Sequence, residues 1–124
     1  MNLEYSDMTK IIDHSVDDFR AEKFDAVFAV MRGGMSAAQY IAKRLELPCV
    51  AIIVGRYSVN YCQIEGVEYG AKILIVGDSM TNGLVRRIDD WADGKFYYEF
   101  YPLTVTHEYE SSKLRYFGIQ TNDN

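Results

Sequence analysis

The stretch of sequence that decides the fold is Val76-Gly77-Asp78-Ser79-Met80-Thr81-Asn82-Gly83. It follows the apolar run 73–76 and precedes a segment in which apolar residues recur at helical spacing. A polar loop with an aspartate therefore lies at the carboxyl end of a predicted buried strand. Because ligand sites in parallel α/β sheets form at that end of the strands, the stretch predicts an α/β fold with a binding site at this loop.

A second strand-to-helix loop follows the apolar segment 26–30 and consists of Met31, Arg32, Gly33 and Gly34. Its two glycines let the backbone approach a ligand closely, and the guanidinium of Arg32 can bind a diphosphate through paired hydrogen bonds. A structural turn explains Arg-Gly-Gly about as well. Together, the two loops predict a phosphorylated ligand held between them.

Apolar periodicity and turn residues predict the remaining elements. The predicted helices span residues 6–20, with Ser6 or Asp7 as the N-cap, 34–46 and 84–92. The predicted strands span 25–31, 49–54, 72–77, one bent strand or two within 96–106 with Pro102 at an edge or bulge, and 114–119. Residues 55–70 fit a long loop or a small hairpin. This alternation predicts a single-domain parallel sheet with right-handed crossovers and helices on both faces.

The composition limits the classes of function. At 124 residues the chain is long enough for one domain, 1–124, with one core. A net charge of −5 argues against binding nucleic acid through its phosphates. No apolar segment approaches the roughly 18–20 uncharged residues of a membrane span, and the first residues do not resemble a signal peptide. We therefore expect a cytoplasmic protein that binds neither nucleic acid nor a membrane.

The two cysteines indicate neither a disulfide framework nor a metal site. Cys49 and Cys62 are too few for such a framework, and neither stands at a metal-ligand spacing from His14 or His107. Cys49 lies within the apolar run 49–54, which is typical of a buried cysteine that packs as a small hydrophobic residue.

The polar loop at 78–83 has the chemistry of a phosphate site. A helix N-terminus offers N–H groups without intrahelical acceptors and the positive end of the helix dipole. Thr81, Asn82 and Gly83 are placed to supply these donors. Asp78 can accept hydrogen bonds from sugar hydroxyls or orient a hydrated Mg²⁺. The alternative is that Asp78 and Thr81 only cap the helix.

Neither standard nucleotide fingerprint is present, since the sequence lacks both Gly-x-x-x-x-Gly-Lys-Ser/Thr and Gly-x-Gly-x-x-Gly after the first strand. Residues 24–92 instead resemble the type I phosphoribosyltransferases, especially the small bacterial enzymes that act on 6-oxopurines. Residues 24–35 are similar to the first strand and pyrophosphate loop of that family. Residues 73–85 are similar, in hydrophobicity and glycine placement, to its loop for phosphoribosyl pyrophosphate (PRPP). Arg56-Tyr57 stands where the family often has Ser-Tyr, at the start of a mobile loop that here would span 55–70.

The resemblance implies a role for each matching residue. Arg32 and Gly33 would bind pyrophosphate, and Asp78 would hold the ribose hydroxyls and the Mg²⁺ that accompanies PRPP. Tyr57 would close over the reacting centre, so Arg32, Asp78 and Tyr57 are the implied catalytic residues. The 5′-phosphate would be wrapped largely by backbone amides. The implied PRPP-binding residues of this loop are Asp78, Ser79, Thr81, Asn82, Gly83, Leu84 and Val85.

The resemblance also implies a non-proline cis peptide bond between Met31 and Arg32, a rare feature that costs about 3 kcal/mol and is found mainly at functional sites. The PRPP loop departs from the family pattern at three positions. Gly77 stands where relatives have the first of two adjacent acids, and Thr81 replaces the acid that assists proton transfer at the base. Val85 replaces a hydroxyl that binds phosphate. Loss of a general acid or base typically lowers a rate by about 10²- to 10⁴-fold, so these positions favour reduced activity.

The C-terminal segment 107–124 diverges from the family. Lys113 is a candidate for the lysine that contacts the purine 6-oxygen in relatives. Tyr109 either stacks on a base or packs within the protein.

The resemblance implies an enzyme that transfers phosphoribose from PRPP to a purine-like base, with release of pyrophosphate and formation of a purine mononucleotide. A homodimer is its expected assembly. The alternative is a catalytically impaired homologue that serves as a nucleotide-binding, regulatory or partner-binding module, which Gly77 and Thr81 favour. A purely structural α/β domain is the third alternative.

Overall fold

The computed structural model of the protein describes residues 4–105, 111–116 and 118–120. In chain order, its helices and strands are α1 (Tyr5–Asp13), α2 (Val16–Glu22), β1 (Ala26–Val30), α3 (Met35–Leu45), β2 (Cys49–Val54), β3 (Val59–Tyr61), β4 (Lys72–Ser79), α4 (Asn82–Ala92), β5 (Tyr97–Val105) and β6 (Ile119–Gln120). None of the described helices is long and apolar enough to cross a membrane.

The strands form one sheet in the order β3-β2-β1-β4-β5-β6. Every neighbouring pair from β2 to β6 is parallel, which confirms the predicted parallel sheet. At one edge β3 pairs antiparallel with β2, so residues 55–70 supply the turn and second strand of a hairpin whose first strand is β2, and the loop or hairpin predicted within 55–70 was only partly correct. Because β1 and β4 are adjacent in the middle of the sheet, the loops that follow them leave it side by side.

Helices cover both faces of the sheet, as predicted. Along β4, Ile73 and Ile75 pack on the face that carries α4. Leu74 and Val76 pack on the face that carries α1, α2 and α3. All four side chains are fully buried. A strand buried on both faces has a continuous apolar run instead of an alternating pattern, and the run 73–76 has this property.

The single helix predicted over 6–20 is wrong. The chain forms two helices, α1 and α2, separated by a turn at His14 and Ser15. Ile12 before the turn and Phe19 after it are both fully buried in the same apolar cluster. The turn thus lets both short helices pack against the sheet. One straight helix of the same length would extend away from it.

The predicted N-cap of the first helix is also wrong. The N-cap residue is Glu4, and its side chain makes no capping hydrogen bond. Ser6 and Asp7 lie inside the first turn of α1. There Asp7 is favourably placed for the helix dipole, but neither residue caps the helix.

Pro102 lies within one continuous strand, β5, and not at an edge or bulge as predicted. Its register partner on β4 is Gly77, and the register continues unchanged to Ser79 and Thr104. The carbonyl of Pro102 accepts a hydrogen bond from the amide of Gly118 at 2.9 Å. Because the nitrogen and carbonyl of a strand residue face the same side, the nitrogen of Pro102 faces away from β4 and interrupts no bond to it. The last strand, predicted over 114–119, is the shorter β6.

The two cysteines differ in exposure. Cys49 is half-buried, and burial raises the pKa of its thiol. Cys62 is exposed. Cys49 packs against the cluster beneath α1 to α3, in agreement with the small hydrophobic role predicted for it, although it is not fully buried.

Two core tyrosines on β5 differ in whether their hydroxyls have a hydrogen-bond partner. Tyr101 is fully buried, and its hydroxyl has no hydrogen-bond partner among the described residues. Burial raises the pKa of this hydroxyl to about 12. The hydroxyl of Tyr98, by contrast, donates to Oδ1 of Asp89 at 2.7 Å.

We expect Tyr101→Phe to leave the free energy of unfolding unchanged or to raise it by up to about 1 kcal/mol, because an unpaired buried hydroxyl is removed. Tyr98→Phe should lower it by about 1 kcal/mol, because a hydrogen bond to a carboxylate is lost. Urea denaturation of the three proteins measures both effects. A loss for Tyr101→Phe as large as that for Tyr98→Phe would contradict this description of the core.

Ion pairs join α2 to the sheet and to residues 111–116, near the amino ends of β4 and β5. Glu22 pairs with Lys72 at 2.7 Å and with Arg115 at 3.4 Å. Arg115 also pairs with Glu99 at 2.7 Å. The hydrogen bond from Lys72 holds the pKa of Glu22 below its usual value, even though partial burial acts in the opposite direction.

We expect Glu22→Gln to lower the free energy of unfolding by about 1 kcal/mol at neutral pH, because a charged acceptor of Lys72 is lost. A carboxyl with a lowered folded-state pKa contributes stability above its unfolded-state pKa and loses it as the pH falls through the folded-state value. The difference between wild type and variant should therefore shrink below about pH 4. Urea denaturation at several pH values measures this, and a difference that persists in acid would argue against the pairing.

Candidate functional site

The loops after β1 and β4 meet at the carboxyl edge of the sheet, where Gly33 lies against Asp78. A Cβ atom placed on Gly33 would be 2.8 Å from Cβ of Asp78 and 3.3 Å from its Oδ2. The backbone of Asp78 is fixed in turn, since its carbonyl accepts a hydrogen bond from the hydroxyl of Thr104 at 3.0 Å. The two loops predicted to share a ligand are thus in direct contact.

Gly34 allows this approach. A Cβ atom on Gly34 would lie 2.4 Å from the carbonyl oxygen of Val76 and 2.9 Å from that of Val30. Both neighbours are backbone atoms of central strands, so neither can move aside. The peptide bond between Met31 and Arg32 is cis, which confirms the prediction made for it.

A cavity of about 220 Å³ opens between the two loops. Of the predicted site residues, Gly33, Asp78, Ser79 and Leu84 line it. The side chain of Arg32 is exposed beside this cavity and is not part of its lining. The complete lining is Val30, Met31, Gly33, Gly34, Val54, Gly77, Asp78, Ser79 and Leu84.

Thr81 caps α4, as one alternative predicted. Its hydroxyl oxygen accepts the N–H of Leu84 at 3.1 Å, and its carbonyl accepts the N–H of Val85 at 3.0 Å. Of the seven residues of this loop implied to bind PRPP, Leu84 and Val85 therefore use their amides within the chain. The side chain of Val85 is also buried in the core.

Met80 packs directly against Gly77. A Cβ atom on Gly77 would be 2.5 Å from Cε and 2.9 Å from Cγ of Met80. Met80 is fully buried and belongs to the cluster beneath α4. The space that an acidic side chain at position 77 would need is thus filled by a core residue.

Tyr57 lies in a second cavity, of about 340 Å³. Its side chain is 91% exposed, and the guanidinium of Arg56 lies 5.7 Å from the centre of its ring. The two cavities are neighbours along the chain, because Val54 lines the first and Gly55 lines the second. The structure therefore places Tyr57 next to the cavity of Asp78, but not in it.

Lys113 is not brought to this edge of the sheet. Its ammonium lies 5.6 Å from the ring centre of Tyr98, near the start of β5. The site is instead at the level of Thr104, the register partner of Ser79. The reason is topological: β6 is parallel to β5, so the chain must first return to the amino end of β5. Tyr109, the other candidate to contact a base, lies outside the described residues.

Arg87 is a residue that the sequence did not indicate. Its Nε donates to the carbonyl of Gly83 at 3.2 Å, and its Nη1 donates to the carbonyl of Gly55 at 3.1 Å. The spacing of four residues from Gly83 is an ordinary helical neighbour relation. The contact with Gly55 joins segments 32 residues apart, and no local pattern predicts such a contact.

The residues that line the first cavity suit a metal ion that is coordinated mainly by a bound ligand. In the described ranges, no three histidine, cysteine, aspartate or glutamate side chains are grouped as a metal site. Of the residues lining the first cavity, Asp78 alone is a carboxylate. Mg²⁺ commonly keeps several waters and binds through one or two carboxylates together with phosphate oxygens of a substrate. Asp78 fits that arrangement.

The arrangement of strands, loops and helices matches known structures. The chain is similar to a purine phosphoribosyltransferase from Pyrococcus horikoshii Ot3, with a TM-score of 0.77 and 19% identity over 96% of this chain and 86% of that one. The chain has the type I phosphoribosyltransferase fold. No family model and no curated protein matches its sequence.

Two further structures with this phosphoribosyltransferase fold contain ligands. A hypothetical protein from Neisseria gonorrhoeae with bound ppGpp has a TM-score of 0.70 and 19% identity, over 96% of this chain and 81% of that one. The adenine phosphoribosyltransferase from Trypanosoma brucei was solved in complex with AMP, pyrophosphate and ribose-5-phosphate. Its TM-score is 0.69 and its identity 14%, over 94% of this chain and 65% of that one.

The phosphoribosyltransferase fold of this chain should depend on Gly34. We expect Gly34→Ala to lower the free energy of unfolding by more than about 3 kcal/mol, because its Cβ would overlap two backbone carbonyls. Gly83→Ala is the matched control, since the atoms nearest to a Cβ there are 3.9 Å away. This control should be neutral or stabilising by up to about 1 kcal/mol. Thermal denaturation compares the two, and equal melting temperatures would contradict the close approach of the loops.

Proposed function

We propose that the protein is a phosphoribosyltransferase that binds PRPP between the loops after β1 and β4 and transfers phosphoribose to a purine-like base. The observation that carries the proposal is the contact of Gly33 with Asp78 beside the N-terminus of α4. It brings three kinds of group to one edge of the sheet. These are a carboxylate for ribose hydroxyls, a helix N-terminus for a phosphate and an arginine for a second anionic group.

Each group has a part in the proposed reaction. Asp78 accepts hydrogen bonds from the ribose hydroxyls, and the amides of Asn82 and Gly83 hold the 5′-phosphate at the positive end of α4. The bond from the anomeric carbon to pyrophosphate breaks, a bond from that carbon to a nitrogen of the base forms, and the proton of that nitrogen passes to water. Arg32, exposed beside the cavity, stabilises the negative charge that develops on the leaving pyrophosphate.

Mg²⁺ bound with PRPP would neutralise part of the pyrophosphate charge, and Asp78 is the residue that would hold it. Its single carboxylate at the first cavity supports an ion that enters with its ligand. Location in the cytoplasm and a homodimer remain predictions from the sequence.

A second function, binding of a nucleotide without transfer, is favoured by a specific observation. Position 77 has no acid, and Met80 occupies the space beside it. Thr81 stands where relatives have the acid that assists proton transfer, and its hydroxyl caps α4. A protein that binds a purine mononucleotide as a sensor needs the phosphate loop and Asp78, but needs neither acid.

Calorimetric titration separates these functions. We expect wild-type protein to bind PRPP with Mg²⁺, and Asp78→Ala and Arg32→Ala each to weaken binding by at least about tenfold, because each removes a charged contact. Asp18→Ala and Lys43→Ala are matched controls, since both side chains are exposed, Asp18 on α2 and Lys43 in the last turn of α3, at the opposite end of that helix from Gly34. They should leave the affinity unchanged.

Two results together would support the transferase. Binding of PRPP should be lost in both site variants, and the wild-type protein should release pyrophosphate with one of a panel of purine bases. Binding of purine mononucleotides with no release of pyrophosphate from PRPP would support the second function. The absence of binding to either ligand would exclude both.

A further inference from the structure

Arg87 connects the first turn of α4 with the turn that follows β2. The first turn of α4 carries Gly83 and would hold the phosphate, and the turn after β2 carries Arg56 and Tyr57. One guanidinium donates to a backbone carbonyl of each segment, at 3.2 Å to Gly83 and at 3.1 Å to Gly55. Arg87 therefore fixes the distance between the helix N-terminus and the turn.

The turn itself is a well-defined unit. The N–H of Gly55 donates to the carbonyl of Ser58 at 2.7 Å, which closes the turn immediately before β3. β3 pairs with β2 over only three residue pairs, from Val54–Val59 to Ile52–Tyr61. An antiparallel pair this short is only marginally stable alone, so a tertiary contact at its turn contributes strongly to the position of β3.

The guanidinium of Arg87 is also close to the place where an anion would bind. Its Nη2 is 3.9 Å from the position that a Cβ of Gly83, the second residue of α4, would occupy. A guanidinium has five N–H donors, so it can bind a phosphate oxygen and keep its bond to the carbonyl of Gly55.

We propose that Arg87 is a positioning residue that couples anion binding at the N-terminus of α4 to the placement of the turn that carries Arg56 and Tyr57. The inference rests on the proposed function in one respect, because the anion is taken to be a phosphate or diphosphate group of the ligand. An anion beside Gly83 attracts the guanidinium, orders it and thereby strengthens its bond to Gly55. Tyr57, which is 91% exposed in the second cavity, is thereby held next to the first.

A purely structural contact would behave differently. If Arg87 only supported the hairpin, its loss would loosen the turn equally with and without an anion. If Arg87 couples the two segments, an anion should tighten the turn in wild-type protein and leave it unchanged in a variant without the guanidinium.

Hydrogen exchange of the Gly55 amide, followed by NMR, measures the state of the turn. In ligand-free protein we expect Arg87→Ala to speed this exchange by about fivefold, because local opening becomes easier. Addition of inorganic pyrophosphate should slow the exchange in wild type and leave it unchanged in Arg87→Ala and Arg87→Lys. The lysine variant keeps the charge but loses the paired donors. Arg86→Ala removes one charge from the adjacent position of α4 and should respond as wild type does.

Titration with PRPP and Mg²⁺ adds a second measurement. Arg87→Ala should weaken binding by about tenfold and Arg86→Ala by less than about threefold. Slowed exchange with pyrophosphate but no binding of PRPP would remove the proposed function and leave the coupling intact. Pyrophosphate that leaves the Gly55 amide of wild type unchanged, or protects it equally in Arg87→Ala, would overturn the coupling.

Discussion

The absence of a side chain at Gly34 is the constraint on which the site depends. The position lies between the carbonyl oxygens of Val30 and Val76, on adjacent central strands, with no room for a Cβ atom. Its own N–H bonds to the carbonyl of Val30 at 3.0 Å, and α3 begins one residue later. The chain can thus reverse at the edge of the sheet and start a helix. This reversal lays Gly33 on Asp78, so the geometry that suits a ligand follows from a packing requirement between two strands.

The segment after β4 contributes residues to the core. Met80 and Val85 are buried beneath α4, and Thr81 uses both its hydroxyl and its carbonyl to begin that helix. What faces the cavity is Asp78 with its neighbour Ser79 and the start of the helix. Binding of a phosphorylated sugar needs no more than this, whereas proton transfer at a base needs a titratable group. Thr81, which stands where relatives have the acid that assists proton transfer, caps α4 instead, so this departure bears more on catalysis than on binding.

The sequence predicted the parts of the structure that local patterns determine. The apolar run at 73–76 identified a strand buried on both faces, since a continuous apolar run is a local pattern. The glycines after β1 were predicted to let the backbone approach a ligand, whereas in the structure Gly34 lies against the carbonyls of Val30 and Val76. Sequence did not show that Thr81 would take up the amides of Leu84 and Val85, because a cap and an anion site use the same residue types. It also could not place Lys113 or join Arg87 to Gly55. Both depend on the path of the chain between distant segments.

Nearby and distant charges of the protein act differently on an anion in the first cavity. The net charge is −5, yet arginines lie at the carboxyl edge of the sheet after β1, after β2 and within the first two turns of α4. Charges separated by more than about 8 Å are largely screened at physiological ionic strength, so the distant carboxylates act weakly on a ligand in the cavity. The nearby guanidiniums and the N-terminus of α4 act strongly there. An anionic ligand in this cavity would therefore gain its affinity mainly from short-range contacts.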